Sequence, residues 1–450
     1  MNRLKALSVL ILSAIACAAA PTNAEKPIAI LLHHQDWHTD KQGWETWSQR
    51  DEIAPKFYVD QEVFHKGSSS LAISGDGNPA AHGRWERIVT GINARSWYRV
   101  TAHYKTKGIR YERQHLVVRL DWLDEKGNRT DEPEYLTKVE PQGDWKRVEE
   151  TFQAPKDARA VKIELNLGWE PDGTVWWDDI ELSEMPQPKG RRVTLTSVFY
   201  RPRGNNTPEE SVRQFCRMLE LAAKDRPDIV CLPEAINLIG TGLSYTEVAE
   251  PVPGHSTQIL CEAAKRLGSH VVAGVLERDG KCVYNTAVLI NRTGELVGKY
   301  RKVYLPREEI EGGVTPGDSY PVFETDFGKV GMMICYDLQY VDPARALAAQ
   351  GAEVILLPIW GGNETLAKAR AIENQIYLVT SGYDIPTFII NPLGGILAQA
   401  SKDKPIISVV VDLDERIKQQ WLGDMKSRFH KEWRADVKMP GWSDGTADER

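Results

Sequence analysis

A chain of 450 residues is too long for one ordinary core, and two or three domains are expected. Its 42% hydrophobic and 26% charged residues are those of a globular protein, and a net charge of -7 gives no reason to expect nucleic acid or an anionic membrane as partner.

Residues 1–24 have the pattern of an export signal. Arg3 and Lys5 give a basic start, residues 6–20 are apolar, and Thr22-Asn23-Ala24 offers small residues for cleavage. No other run is long and apolar enough to span a bilayer, so the mature protein is expected to be periplasmic or extracellular. Beyond the signal stand Cys216, Cys231, Cys261, Cys282 and Cys335. Five is odd and no pair has CxxC spacing, which argues against a disulfide framework or a zinc site.

Residues 25–184 read as all-β. Leu116, Val118, Leu120 and Trp122 alternate with Val117, Arg119 and Asp121, and residues 161–167 alternate in the same way. Turn signals such as Gly75-Asp76-Gly77-Asn78 separate the runs. Ten of the fourteen tryptophans fall here, most of them expected in the core of a β-sandwich. Trp145-Lys146-Arg147-Val148 and the later Val175-Trp176-Trp177-Asp178-Asp179-Ile180-Glu181-Leu182 resemble the closing strands of carbohydrate-binding, galactose-binding-like jelly rolls. That resemblance implies a possible glycan partner held by exposed aromatics.

Residues 185–192 form a Pro-rich, charged linker, after which strands and helices alternate. Residues 193–200 read as a strand, and Thr207-Pro208-Glu209-Glu210 starts a helix with a capping box. Strands are expected over 228–232, 270–276, 285–290, 295–300, 329–334, 354–357, 377–381, 387–390, 396–400 and 406–411. Helices are expected over 255–267, 343–350 and 364–374. The domain boundary is placed near residue 415, and residues 416–450 read as a polar tail draped on a neighbouring surface.

Three chemically useful side chains sit where apolar strands end. Cys335 leaves the run 329–334 for a loop, and Glu234 and Lys302 each close a similar strand. Strand ends of α/β sheets are the usual ligand crevice. A carboxylate beside a thiol takes its proton as sulfur attacks, and an ammonium stabilises thiolate and oxyanion alike.

With their flanks these residues resemble the nitrilase superfamily of carbon–nitrogen hydrolases. The similarity lies in Ile229-Val230-Cys231-Leu232-Pro233-Glu234, Tyr300-Arg301-Lys302-Val303-Tyr304-Leu305-Pro306, Thr315-Pro316-Gly317-Asp318, Val330 through Asp337, and Ala369-Arg370-Ala371-Ile372-Glu373-Asn374-Gln375. It implies an αββα sandwich over residues 193–415, with Glu234 as general base, Lys302 as cation beside the reacting carbonyl and Cys335 as nucleophile. The family's further glutamate falls to Glu309 or Glu311, and counting from Lys302 favours Glu309. The Tyr336 backbone N–H joins Lys302 in the implied oxyanion hole, and Tyr336 and Trp360 are candidate substrate contacts. All reacting groups are side chains, so no metal or organic cofactor is expected, and the resemblance implies a homodimer or higher homo-oligomer.

The expected activity is hydrolysis of a non-peptide amide, a small molecule, through a cysteine thioester. Nitrile hydrolysis by the same triad and a carbohydrate-binding protein on a non-catalytic scaffold are the alternatives. A carboxylate-bearing substrate would need a further cation, for which Arg307 and Arg345 stand nearest in sequence. His255, His270 and His430 lack metal-ligand spacing.

Overall fold

The structure is a computed structural model that describes residues 30–32, 43–384, 387–434 and 437. The export signal over residues 1–24 lies outside the described residues.

The N-terminal half is a β-sandwich. Its larger sheet runs Lys56–Asp60, Ser70–Ser74, Thr174–Met185, Trp97–Lys107, Trp145–Gln153 and Lys138–Gln142, with Ile30–Leu32 against Thr174–Met185. The smaller runs Glu45–Trp47, His82–Thr90, Ala160–Gly168, Leu116–Leu123 and Glu134–Tyr135, and every pairing in both sheets is antiparallel. Alternation places Leu116, Val118, Leu120 and Trp122 inward, where they meet Leu71, Trp85, Tyr98, Leu165 and Trp177. Most of the tryptophans here are core, as expected; Trp169 is an exposed exception. The outward residues are less solvated than strict alternation predicts. Glu164 is fully buried on that face because Arg84, Arg119 and Lys162 all pair with it.

The second half is an αββα sandwich. One six-stranded sheet runs Leu296–Arg301, Cys282–Ile290, His270–Asp279, Ile229–Cys231, Arg192–Val198 and Ile406–Asp412. The other runs Val322–Glu324, Lys329–Met332, Val354–Pro358, Tyr377–Ser381, Phe388–Ile390 and Ile396–Gln399. The sheets face each other through Leu195, Cys231, Val272 and Leu289 on one side and Val330, Met332, Leu356 and Val379 on the other. Helices Pro208–Ala222 and His255–Leu267 cover the outer face of the first sheet. Asp342–Ala349 and Glu364–Asn374 cover the second. The short parallel strands are buried on both faces, so they read in sequence as apolar runs without alternation. At the head of Pro208–Ala222 the Thr207 side chain accepts from the Glu210 N–H, while the Glu210 carboxylate accepts from Asn206 rather than from Thr207.

Residues 416–434 are more ordered than a draped tail. Lys418–Gln419 and Gly423–Asp424 form a small hairpin, and Asp424 caps the helix Met425–Glu432 by accepting from the Lys426 and Ser427 N–H groups. This segment ties the two halves together. Arg416 pairs with Glu134 and Glu150 of the β-sandwich, Lys418 with Asp131 and Glu134, and Lys431 Nζ donates to the Leu116 carbonyl. On the other side Lys426 pairs with Glu353, and the Arg345 guanidinium lies 4.7 Å from the Phe429 ring centroid. No helix among the described residues is long and apolar enough to cross a membrane.

Candidate active site

Glu234 stands in the turn after Ile229–Cys231. Gly274 on the neighbouring strand allows that turn to come close: a Cβ on Gly274 would lie 2.6 Å from the Glu234 Cα and 2.9 Å from the Ala235 nitrogen. The chain then passes through Ala235 at φ +50°. The Tyr383 hydroxyl donates to the Glu234 carbonyl at 2.6 Å.

Lys302 follows Leu296–Arg301 and is held by its backbone, its N–H donating to the Asn285 carbonyl and its carbonyl accepting from the Gly317 N–H. Its side chain is fully buried and reaches two carboxylates at once, Glu234 Oε1 at 2.9 Å and Glu309 Oε1 at 2.5 Å. Asn285 Nδ2 donates to the same two oxygens at 2.7 and 3.2 Å. Burial alone would push the Lys302 ammonium down, but Glu234, the Cys335 sulfur and Glu309 overcome it and hold it well above its ordinary value.

Glu309 lies on the short helix Arg307–Glu311. One turn of helix settles which glutamate faces inward. Glu309 is buried against Lys302, whereas Glu311 is exposed and pairs with Arg307. Burial, with Glu234 beside it, pushes the Glu309 carboxyl up against the opposing pull of Lys302.

Cys335 comes just beyond Lys329–Met332 at φ +42°, a left-handed conformation that few non-glycine residues adopt. Its Sγ lies 3.9 Å from the Gly361 carbonyl. Burial first, and then the neighbouring Glu234, which also hydrogen-bonds the thiol, raise its pKa well beyond the ordinary thiol range; Lys302 opposes this. These surroundings favour the thiol over the thiolate, and Glu234 is the base placed to take its proton as sulfur attacks. Asp337 locks the Cys335 turn to the Lys302 segment by accepting from the Ile334 N–H at 2.9 Å, the Tyr304 N–H at 3.0 Å and the Tyr300 hydroxyl at 2.7 Å.

Glu234, Lys302 and Cys335 thus converge from segments far apart in sequence, and Glu309 joins them from seven residues beyond Lys302. Tyr336 packs edge-on against Tyr340, with ring centroids 5.7 Å apart. Trp360 adjoins Gly361 beside the thiol and meets Tyr383 edge-on at 4.9 Å. Neither sequence-nominated cation joins this group: Arg307 is exposed beside Glu311, and Arg345 stacks on Phe429. Arg201 lies over both Trp360 and Tyr383, at 5.3 and 5.2 Å from their ring centroids. Sequence reasoning missed Arg201, Asn285 and Tyr383, whose importance comes only from contacts across the sheets. Asn285 alone left a trace, as an amide opening an otherwise apolar run. Arg370 and Glu373, three residues apart on Glu364–Asn374, pair at 2.9 Å and hold that helix.

Two buried carboxylates, one buried ammonium and a thiol at a strand end, set in an αββα sandwich, are the equipment of a hydrolase of carbon–nitrogen bonds. Residues 195–419 match the family model described as carbon-nitrogen hydrolase, and residues 38–174 match one described as carbohydrate binding domain. The omega-amidase NIT2 of Xenopus tropicalis is 30% identical over 255 residues, covering 50% of this chain and 89% of that protein. Omega-amidase NIT2 of Homo sapiens is 31% identical over 242 residues, covering 47% and 87%. Among solved structures, Saccharomyces cerevisiae Nit3, a member of branch 10 of the nitrilase superfamily, aligns with 49% of this chain and 90% of its own. Its identity is 24% and its TM-score 0.44. The chain belongs to the carbon–nitrogen hydrolase family. Its carbon–nitrogen hydrolase region is preceded by an all-β domain similar to carbohydrate-binding domains.

Proposed function

We propose that this protein is an exported amidase that hydrolyses a small-molecule amide through a thioester on Cys335. The observation that carries the reading is the Lys302 ammonium, buried between Glu234 and Glu309 beside a thiol that Glu234 hydrogen-bonds. In the first half-reaction Glu234 takes the thiol proton as sulfur attacks the amide carbon. The new oxyanion is stabilised by Lys302 with the Tyr336 backbone N–H. Glu234 returns the proton to the departing nitrogen, ammonia or an amine leaves, and the acyl group stays on sulfur. In the second, Glu234 takes a proton from water as it attacks the thioester, and the collapse restores the thiol and releases a carboxylic acid. Glu309 holds Lys302 in place and orients substrate or water.

Export is supported by the pattern of residues 1–24. The likeness of residues 38–174 to carbohydrate-binding domains supports a glycan as the ligand of the sandwich. Association into a homodimer completes the proposal, and light scattering on the mature protein checks it.

The direct test is an ammonia-release screen of the mature protein over small aliphatic amides, ω-amides of dicarboxylic acids, carbamoyl compounds and amidated sugars. At least one amide is turned over by the wild-type chain and none by Cys335→Ala. Turnover of a nitrile but not of the amide with the same side chain would overturn the amidase reading.

A further inference from the structure

The outer face of the larger sandwich sheet carries a group of side chains that neither the amidase chemistry nor the sandwich core uses. His103 lies mid-strand in Trp97–Lys107 and Asp179 on the paired strand Thr174–Met185. His65 comes from the loop that precedes Ser70–Ser74. One donor atom from each residue lies within 4.8 Å of the other two. From these residues we propose a divalent transition-metal site of two imidazoles and one carboxylate, of the zinc class, in the β-sandwich.

Several independent features point the same way. The register between the two strands breaks between Asp178 and Glu181, and Asp179 sits in that irregularity at φ +47°. Bulges of this kind re-aim a side chain, and a strained non-glycine residue marks a position held for a purpose. The His103 Nε2 lies 3.0 Å from the Gln142 Oε1, and in the tautomer in which Nε2 donates to that oxygen Nδ1 carries the lone pair. That Nδ1 is buried, has no hydrogen-bond partner among the described residues, and faces the Asp179 carboxylate at 4.0 Å. The Asp179 oxygen at that distance is held by Lys66 and His65, and an ion bound between it and Nδ1 would take the place of the Lys66 ammonium. An imidazole whose other nitrogen donates to an oxygen is also the usual outer arrangement of a metal-ligating histidine.

His65 completes the set. Its Nδ1 is 2.8 Å from Asp179 Oδ2, and its ring stacks on His103 with centroids 4.3 Å apart. Its backbone N–H donates to Asp178, which fixes the loop on the sheet.

The neighbouring charges leave room for a cation. Arg99 pairs with Glu181, and Arg147 with Glu149. Lys66, whose ammonium lies 3.0 Å from Asp179 on a largely exposed side chain, is the group an ion displaces. Imidazole and carboxylate together select zinc-like ions over calcium or magnesium. A cavity of about 160 Å³ lined by Lys66, Arg99, Thr101 and Arg147 adjoins His103 and Asp179 and gives the fourth coordination position to water.

The test uses the full-length mature chain after chelator treatment. Calorimetric titration with Zn²⁺ is expected to show one saturable site, and Co²⁺ a visible ligand-field spectrum without a thiolate charge-transfer band. His65→Asn and His103→Asn each lower the affinity at least tenfold, and the double variant removes the site. Gln142→Ala, which leaves the ligands in place, weakens binding by about 10- to 100-fold. Circular dichroism of each variant reports that the sandwich is intact. The absence of saturable binding to the wild type overturns the proposal, as does undiminished binding by the double variant. A thiolate band would move the ion to a cysteine and overturn it equally.

Discussion

Replacing Lys302 with methionine keeps the length of the side chain and removes its charge. The fully buried ammonium is shared by Glu234 at 2.9 Å and Glu309 at 2.5 Å, and both carboxylates are themselves buried. Its loss leaves two like charges in a dry site with Asn285 Nδ2 as their common donor. Breaking one buried ion pair costs about 3–5 kcal/mol, and a shared cation puts this variant at the upper end. One carboxyl escapes part of that cost by taking a proton, so its folded pKa rises further above its unfolded value. Stability linked to such a group is fully present below the unfolded carboxylate pKa and is lost as pH rises through the folded one. Urea unfolding followed by circular dichroism should therefore show a larger deficit against wild type at pH 8 than at pH 5. The double variant Lys302→Met/Glu309→Gln should recover most of the stability and none of the ammonia release. A deficit under about 1 kcal/mol at pH 8, or one that does not shrink at pH 5, would refute the reasoning, because a buried unpaired carboxylate pair cannot be that cheap.

Gly274→Ala puts a methyl group 2.6 Å from the Glu234 Cα, and backbone cannot yield as a side-chain tip does. Steady-state kinetics should show kcat/KM reduced by about 100-fold, with a loss of about 1–3 kcal/mol in urea unfolding. Asp337→Ala strands the Tyr300 hydroxyl and the Ile334 and Tyr304 N–H groups, each costing about 1–3 kcal/mol, and denaturant midpoints measure the sum. Deleting residues 416–450 leaves Glu134 and Glu150 buried without Arg416 and Lys418, so calorimetry should show the β-sandwich melting earlier while the αββα core is little changed.

What was legible in the sequence was whatever the backbone periodicity or a strand end encodes locally. Alternation at residues 116–122 and 161–167 gave strands that the structure extends by a residue or two, to Leu116–Leu123 and Ala160–Gly168. The apolar runs ending in Glu234 and Cys335 belong to buried strands with parallel neighbours, Ile229–Cys231 and Lys329–Met332, while Lys302 follows the half-exposed antiparallel edge strand Leu296–Arg301. The Cys335 strand stops at Met332 and the chain turns through a 3-10 segment, Cys335–Gln339, because Asp337 folds back onto the Ile334 N–H. Long-range partners left little trace. Nothing near Arg201 in sequence announces Trp360 and Tyr383, and Arg307 and Arg345 looked near the site only because chain distance was the available measure. The choice between Glu309 and Glu311 needed the helix Arg307–Glu311, too short to show a period. His65, His103 and Asp179 come from three segments and have no common spacing.

The central claim is that Cys335 carries the acyl group. Rapid-quench mass spectrometry of the wild-type chain during turnover of an active amide tests it most directly. The account predicts a transient adduct with the mass of the acyl group on the peptide that contains Cys335, formed as the first ammonia is released and absent from Cys335→Ala. Ammonia release by Cys335→Ala, or an adduct on another residue, would contradict it.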